Sequence, residues 1–207
     1  MPALRPRPGG RRGKAGVMSA WEDAELASAL AAAFWLLVPA GVANMAPVVA
    51  AWLLPSWDRP VDFGCSLGGE RLFGDHKTWR GVAAGIAAGA AAFAVLQRAL
   101  GSAPELGGIL AELESRQLSP LFGAWIGCGA LTGDLVKSYF KRRSGIPPGR
   151  SWFPFDQIDW LLGALVFAIP VVQLSVMSIL ATLVAGVALH LVVHALGRAM
   201  GLNQTWI

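Results

Sequence analysis

Charge is what this chain has least of. Only 14% of its 207 residues are Asp, Glu, Lys or Arg, against about a quarter in a soluble domain, and mean hydropathy is positive. A soluble globular domain is excluded, and the chain reads as an all-α integral membrane protein. It has room for about five transmembrane helices of about 20 residues each, but not for a separate soluble domain. Cysteine is nearly absent as well. Cys65 and Cys128 are single and far apart, which excludes a disulfide framework and a CxxC metal site. Both read as small packing residues. The N-terminal segment lacks the apolar core of a signal peptide. The net charge of +4 comes from loops and tail, and it points to anionic lipid and anionic substrates and away from nucleic acid.

The apolar segments place spans at about 26–54, 81–100, 118–136, 158–174 and 176–196 of a single polytopic domain covering 26–207. The first is long enough to require tilt or a kink, which Pro39, Gly41 and Pro47 supply, and Asn44 puts an amide inside it. Gly81, Gly85 and Gly89 repeat every four residues in the second span, as do Gly123/Gly127 and Gly129/Gly133 in the third. Such stripes let helix backbones approach closely, and stripes left unpaired would allow a homodimer. Pro170, Gln173, Ser175 and Ser178 mark the turn between the last two spans.

Basic residues set the orientation. The loop 55–80 holds Arg59, Arg71, Lys77 and Arg80, and the loop 137–157 holds Lys137, Lys141, Arg142, Arg143 and Arg150. The loop 101–119 holds only Arg116 against three Glu. Both basic loops and the C-terminus are therefore expected in the cytoplasm, with the N-terminus outside the inner (plasma) membrane. Arg5, Arg7, Arg11, Arg12 and Lys14 oppose that placement. Residues 1–25 read as an extension that is disordered or precedes the true start, because the part before Met18 is rich in Pro, Gly and Arg. Translation is expected to begin at Met18.

The scarce charges are not scattered. Asp134, Lys137, Ser138 and Lys141 stand at i, i+3, i+4 and i+7, on one face of a helix. Asp156 and Asp159 stand at i, i+3 at the start of the following apolar run. A positive-inside loop accounts for the bases but not for acids at the helix ends. The first basic loop carries GGERLFGDHKTWRG at 68–81, yet Gly69, Gly74 and Lys77 miss the phosphate-loop spacing by two residues, which excludes a P-loop. Asp75, Lys77, Thr78 and Arg80 remain, at the mouth of a membrane helix whose positive dipole end suits phosphate. Phosphoryl or nucleotidyl transfer uses Mg²⁺ on carboxylates together with fixed positive charge. Asp134, Asp156 and Asp159 offer the first, and Lys77, Arg80, Lys137, Lys141 and Arg142 the second. No Ser–His nucleophile pair is evident, and Ser138 among cations suits phosphate. His190 and His194 lack a third zinc ligand and read as packing residues. Trp57, Trp79, Trp152, Trp160 and Trp206 read as interfacial anchors.

Asn44-x-x-Pro47, GDHKTWRG at 74–81, GDLVKSYFKRRSGIPPG at 133–149 and FDQIDW at 155–160 together resemble the CDP-archaeol synthase family, from about Leu36 to the end of the fourth span. That family is related to the phosphatidate cytidylyltransferases. The signature of those enzymes is similar to Lys141-Arg142, Pro148-Gly149 and Asp156-Gln157-Ile158-Asp159, with Gln157 where they carry Arg. The resemblance implies a membrane cytidylyltransferase with five spans and a cytoplasmic site, converting CTP and a lipid phosphate, of archaeol type or related, to CDP-lipid and pyrophosphate with Mg²⁺. By motif match, Asp134, Asp156 and Asp159 would hold metal and, with Lys137, act in catalysis. Asp75, Lys77, Thr78, Arg80, Lys137, Ser138, Lys141 and Arg142 would bind CTP and phosphate. Asn44 would line the lipid cavity, with the tails between glycine-lined helices. The alternatives are CDP-diacylglycerol synthesis, or a small non-enzymatic transporter or scaffold that tolerates loss of the acids. A CDP-alcohol phosphotransferase is excluded by the missing D-G-x-x-A-R signature.

Overall fold

A computed structural model describes residues 11–101, 118–147 and 150–199. Five helices follow one another: α1 (Arg11–Leu53), α2 (Trp79–Gly101), α3 (Pro120–Arg143), α4 (Phe155–Ala168) and α5 (Val176–Ala199). Between α1 and α2 lies a small hairpin, β1 (Ser66–Leu67) paired antiparallel with β2 (Glu70–Arg71). Its turn is Gly68-Gly69, both at positive φ, the backbone of a type I′ turn. The hairpin is the one addition to the all-α expectation among the described residues.

Among the described residues, three stretches are long and apolar enough to cross a bilayer: Glu22–Leu53, Trp79–Ala99 and Val176–Val193. Phe34, Val48, Val95, Leu121, Val166 and Val184 are exposed, a belt that only lipid can cover. The protein is a multi-pass helical membrane protein.

The helix ends differ from the expected ones for local reasons. α1 is already helical at Arg11, inside the segment expected to be disordered, and it runs unbroken through Pro39 and Pro47. Residues 1–10 lie outside the description. α3 does not stop at 136 but continues to Arg143, because the charges after Asp134 end the apolar pattern without ending the helix. Ser119 caps its start by accepting from the Leu121 amide, and Pro120 occupies the first turn. The expected span 158–174 is instead α4 followed by a turn over 169–175. At 14 residues, α4 is about 21 Å long and crosses only part of a core about 30 Å thick. Ser175 caps α5 through the Ser178 amide at 3.0 Å.

Glycine decides how the helices meet. A Cβ on Gly89 would stand 2.6 Å from the Gly123 carbonyl oxygen, and one on Gly85 2.8 Å from that of Ala43, so α2 lies backbone to backbone on α3 and α1. Farther along α3, a Cβ on Gly129 would meet the Gly163 oxygen at 2.6 Å, and one on Gly133 the Asp159 oxygen at 2.1 Å. The stripes are thus consumed inside the chain. Away from the charged end, Trp35, Phe93 and Phe122 form a ladder with centroids 5.3 Å apart, and Phe93 is 1% exposed.

Candidate functional site

The close contact of α3 with α4 brings the acids and bases of two motifs together. Where Gly133 touches the backbone of Asp159, the next residue, Asp134, and Lys137 one turn on both face the start of α4. The ammonium of Lys137 lies 3.1 Å from Asp134, 3.0 Å from Asp156 and 2.8 Å from Asp159. Lys141, one turn later, bonds Asp156 at 3.2 Å. Asp156 also accepts from the Trp152 amide at 2.5 Å, so the same carboxylate closes the loop before α4. Ser138 is buried on this face of α3 and Asp159 is 8% exposed.

The third motif arrives from the loop 54–78. Its two ends are stitched by Val61 N–H to the Lys77 carbonyl (2.7 Å) and Trp79 N–H to the Arg59 carbonyl (3.0 Å). Lys77 then reaches across to bond Asp134. Thr78 is buried and caps α2, its hydroxyl accepting from the Gly81 amide at 3.2 Å. Arg80 is buried and donates to the Leu54 carbonyl at 2.6 Å, while its Nε has no partner. Both therefore have structural employment besides lining the site. Asp75 is bonded by Arg71 at the exposed rim. Arg142 is half-buried, carries a buried Nε without partner, and stands apart from the acid cluster.

Beside the acid cluster lies a cavity of about 760 Å³ lined by Asn44, His76, Lys77, Thr78, Arg80 and Asp134, within the range of small-molecule sites. Asn44 also lines an apolar groove of about 830 Å³ between α1, α2 and α5. It is the residue where the chamber that holds Lys77, Arg80 and Asp134 meets an apolar groove. A second apolar groove, about 530 Å³, runs between α3 and α4 and has Lys137 and Asp159 in its wall. Trp160, expected as an interfacial anchor, is 4% exposed and lies over Gly41. His190 lines the first groove. The His194 side chain, Pro148-Gly149 and Trp206 lie outside the described residues.

Two residues that sequence reasoning passed over hold the first loop in place. Asp62, its side chain fully buried, accepts from Arg71 at 2.5 Å, from the Gly64 amide at 3.0 Å, and from the Phe73 and Gly74 amides at 3.1 and 3.4 Å. Burial alone would raise its pKa, but the Arg71 guanidinium and three backbone amides outweigh it and lower it to about 2. Phe63, at φ 51, is held in a costly left-handed conformation between Asp62 and Gly64. Arg143, the last residue of α3, donates to the Leu67, Glu70 and Arg71 carbonyls, the latter two at 2.8 Å. It fastens the hairpin to the helix that carries Asp134. The only local signal for Asp62 is the Asp-x-Gly spacing of an Asx turn, and Arg143 shows none.

The depressed pKa of Asp62 predicts an acid limit. A carboxylate whose pKa is lower folded than unfolded stabilises fully above its unfolded value, near 3.8, and that stability is lost as pH falls toward about 2. Asp62→Asn should flatten this acid limb of thermal stability, and Arg143→Ala should raise the KM for nucleotide more than it lowers kcat. An unchanged acid limb and unchanged kinetics would remove the loop-fastening role.

Comparison with known proteins gives the family. The family model described as CarS-like, CDP-archaeol synthase, matches residues 26–207. The chain belongs to the CDP-archaeol synthase family. It is 36% identical over 191 residues to the CDP-archaeol synthase of Halobacterium salinarum (strain R1), covering 88% of this chain and 99% of that one. It is 40% identical over 164 residues to that of Thermococcus onnurineus, covering 79% and 88%. A solved structure of an intramembrane enzyme for archaeal membrane lipid biosynthesis superposes with a TM-score of 0.62 at 36% identity, over 79% of this chain and 92% of that one.

Three carboxylates are the hard oxygen ligands that Mg²⁺ takes. As they stand, no three acids, histidines or cysteines among the described residues are close enough together to form a metal cage. Asp134, Asp156 and Asp159 converge on the Lys137 ammonium instead, and that cation marks the point where their donor set suits a positive charge.

Proposed function

We propose that this protein is the membrane enzyme that transfers CMP from CTP to an archaeol-type lipid phosphate, forming CDP-lipid and pyrophosphate. One observation carries the reading: Lys77, Asp134, Lys137, Asp156 and Asp159, drawn from three separate motifs, meet at one point beside a polar cavity whose wall at Asn44 adjoins an apolar groove.

An oxygen of the lipid phosphate attacks the α-phosphorus of CTP while the bond to the β-phosphate bridging oxygen breaks, and pyrophosphate leaves with that electron pair. A phosphomonoester has its second pKa near ~6, so the attacking oxygen needs no general base. What the chain must supply is alignment and positive charge. Lys77 and Arg80 at the cavity wall serve the triphosphate, with the α2 N-terminus behind them. Lys137 and Lys141, with Ser138 between them, face the α-phosphate and the attacking phosphate, and Arg142 serves the rim. Mg²⁺, held by Asp134, Asp156 and Asp159, would neutralise phosphate charge when bound. Asn44 orients the lipid head group where cavity and groove meet. Thr78 fixes the start of α2, and Asp75 holds Arg71 at the entrance.

The two basic loops support a cytoplasmic orientation for this end of the bundle, in an enzyme of the plasma membrane. In detergent, CTP, Mg²⁺ and an ether lipid phosphate should release pyrophosphate, and ester lipid phosphates should do so less readily. Release without lipid phosphate, or none with any lipid phosphate, would overturn the assignment.

A further inference from the structure

Among the described residues, Lys137 is the one cation that three carboxylates share. Lys77 already bonds Asp134, and Lys141 already bonds Asp156. Lys137 nonetheless sits among all three carboxylates at 2.8–3.1 Å, with its side chain 15% exposed. Three acids and three lysines balance in charge, so the group is electrically complete without any ligand. Every carboxylate in it faces an ammonium.

We propose that Lys137 is the resident counter-ion of this site and must swing out before a divalent cation can share its carboxylates, so that metal and nucleotide load together. The inference rests on the cytidylyl-transfer reading of the site. An ammonium about 3 Å from three oxygens and a Mg²⁺ about 2.0–2.1 Å from the same oxygens occupy the same space, and two cations there repel. Lys137 therefore has to leave, and its charge needs a new partner in a half-buried setting where every nearby carboxylate is already committed. The triphosphate is that partner. The flexible four-carbon stem of lysine suits such an exchange, which a rigid forked guanidinium would not. Nucleotide thus makes room for metal, and metal holds the nucleotide. The coupling is reciprocal, and an empty site stays closed to adventitious divalent ions.

Equilibrium dialysis with Mn²⁺, of the full chain in detergent and without lipid phosphate, reads this directly. Wild type should retain little Mn²⁺ alone and roughly tenfold or more with CTP, within the usual range of ligand coupling. Lys137→Gln should retain Mn²⁺ without CTP, and Lys137→Arg should retain less than wild type even with CTP. Wild-type retention that is equal with and without CTP overturns the proposal, whatever the variants do. Lys137→Gln that folds and still requires CTP overturns it too. The pyrophosphate assay is separate: no release with all substrates present would reject cytidylyl transfer and leave the dialysis result standing.

Discussion

Asp134→Asn should lower kcat about a hundredfold or more while the protein still folds and extracts into detergent as wild type does. The magnitude follows from what removing one preorganised charged group costs elsewhere, roughly 10²–10³ in rate. Asp134 is bonded by Lys77 from the first loop and by Lys137 from its own helix, and it lines the cavity. An amide in its place keeps the shape but loses the charge that holds both lysines. Lys77 would then leave the cavity wall, and the proposed metal site would lose one of three ligands. Folding should survive because the packing that holds the bundle lies elsewhere, in the Trp35–Phe93–Phe122 ladder and the glycine contacts. Asp156→Asn should lose activity too, with some loosening of the loop that its carboxylate closes at Trp152. Pyrophosphate release beside a thermal unfolding curve separates the two effects. Near-normal kcat in Asp134→Asn would remove this carboxylate from the chemistry and favour the scaffold alternative.

How much of this was legible beforehand depended on whether a residue's partner is close in sequence. The shared face of Asp134, Lys137, Ser138 and Lys141 follows from helical periodicity, and α3 presents it through Arg143. That Asp156 and Asp159 join it could be expected from the shared charge chemistry and the family resemblance, but not from their spacing to α3, which carries no geometry. The roles that escaped notice are those whose partners are backbone atoms far along the chain. Arg143 reads as one more positive-inside charge until its three acceptors in the hairpin appear. Asp62 reads as a turn residue, although four donors converge on it. Thr78 and Arg80 read as phosphate ligands, and the fold also gives them a helix cap and a tie to Leu54. Glycine was legible in part. A small-xxx-small stripe announces that some backbone will come close, but not which one, and here the partners of Gly85, Gly89, Gly129 and Gly133 are all within the chain.

Gly133→Ala should be among the most damaging single methyl additions at the described glycines. Its Cβ would stand 2.1 Å from the Asp159 carbonyl oxygen and 2.9 Å from that carbonyl carbon, where ordinary contact begins near 3.5 Å. The obstacle is helix backbone, so no rotamer change relieves it and α4 itself must move away. Overpacking a well-filled interior costs about 1–3 kcal/mol when side chains can yield, and here they cannot. Separation of α3 from α4 would also carry Asp156 and Asp159 away from Lys137, which reaches them only because the two backbones touch. Stability and activity should therefore fall together, with kcat falling further than loss of folded protein explains. Gly163→Ala, whose Cβ would meet the Gly129 oxygen at 2.1 Å, should reproduce both losses from the other helix. Gly41→Ala is the matched control, because its Cβ would meet only the Trp160 ring at 3.9 Å and should change neither. A Gly133→Ala enzyme with wild-type melting and turnover would mean that α3 and α4 are not in backbone contact, and the site as described here would come apart with them.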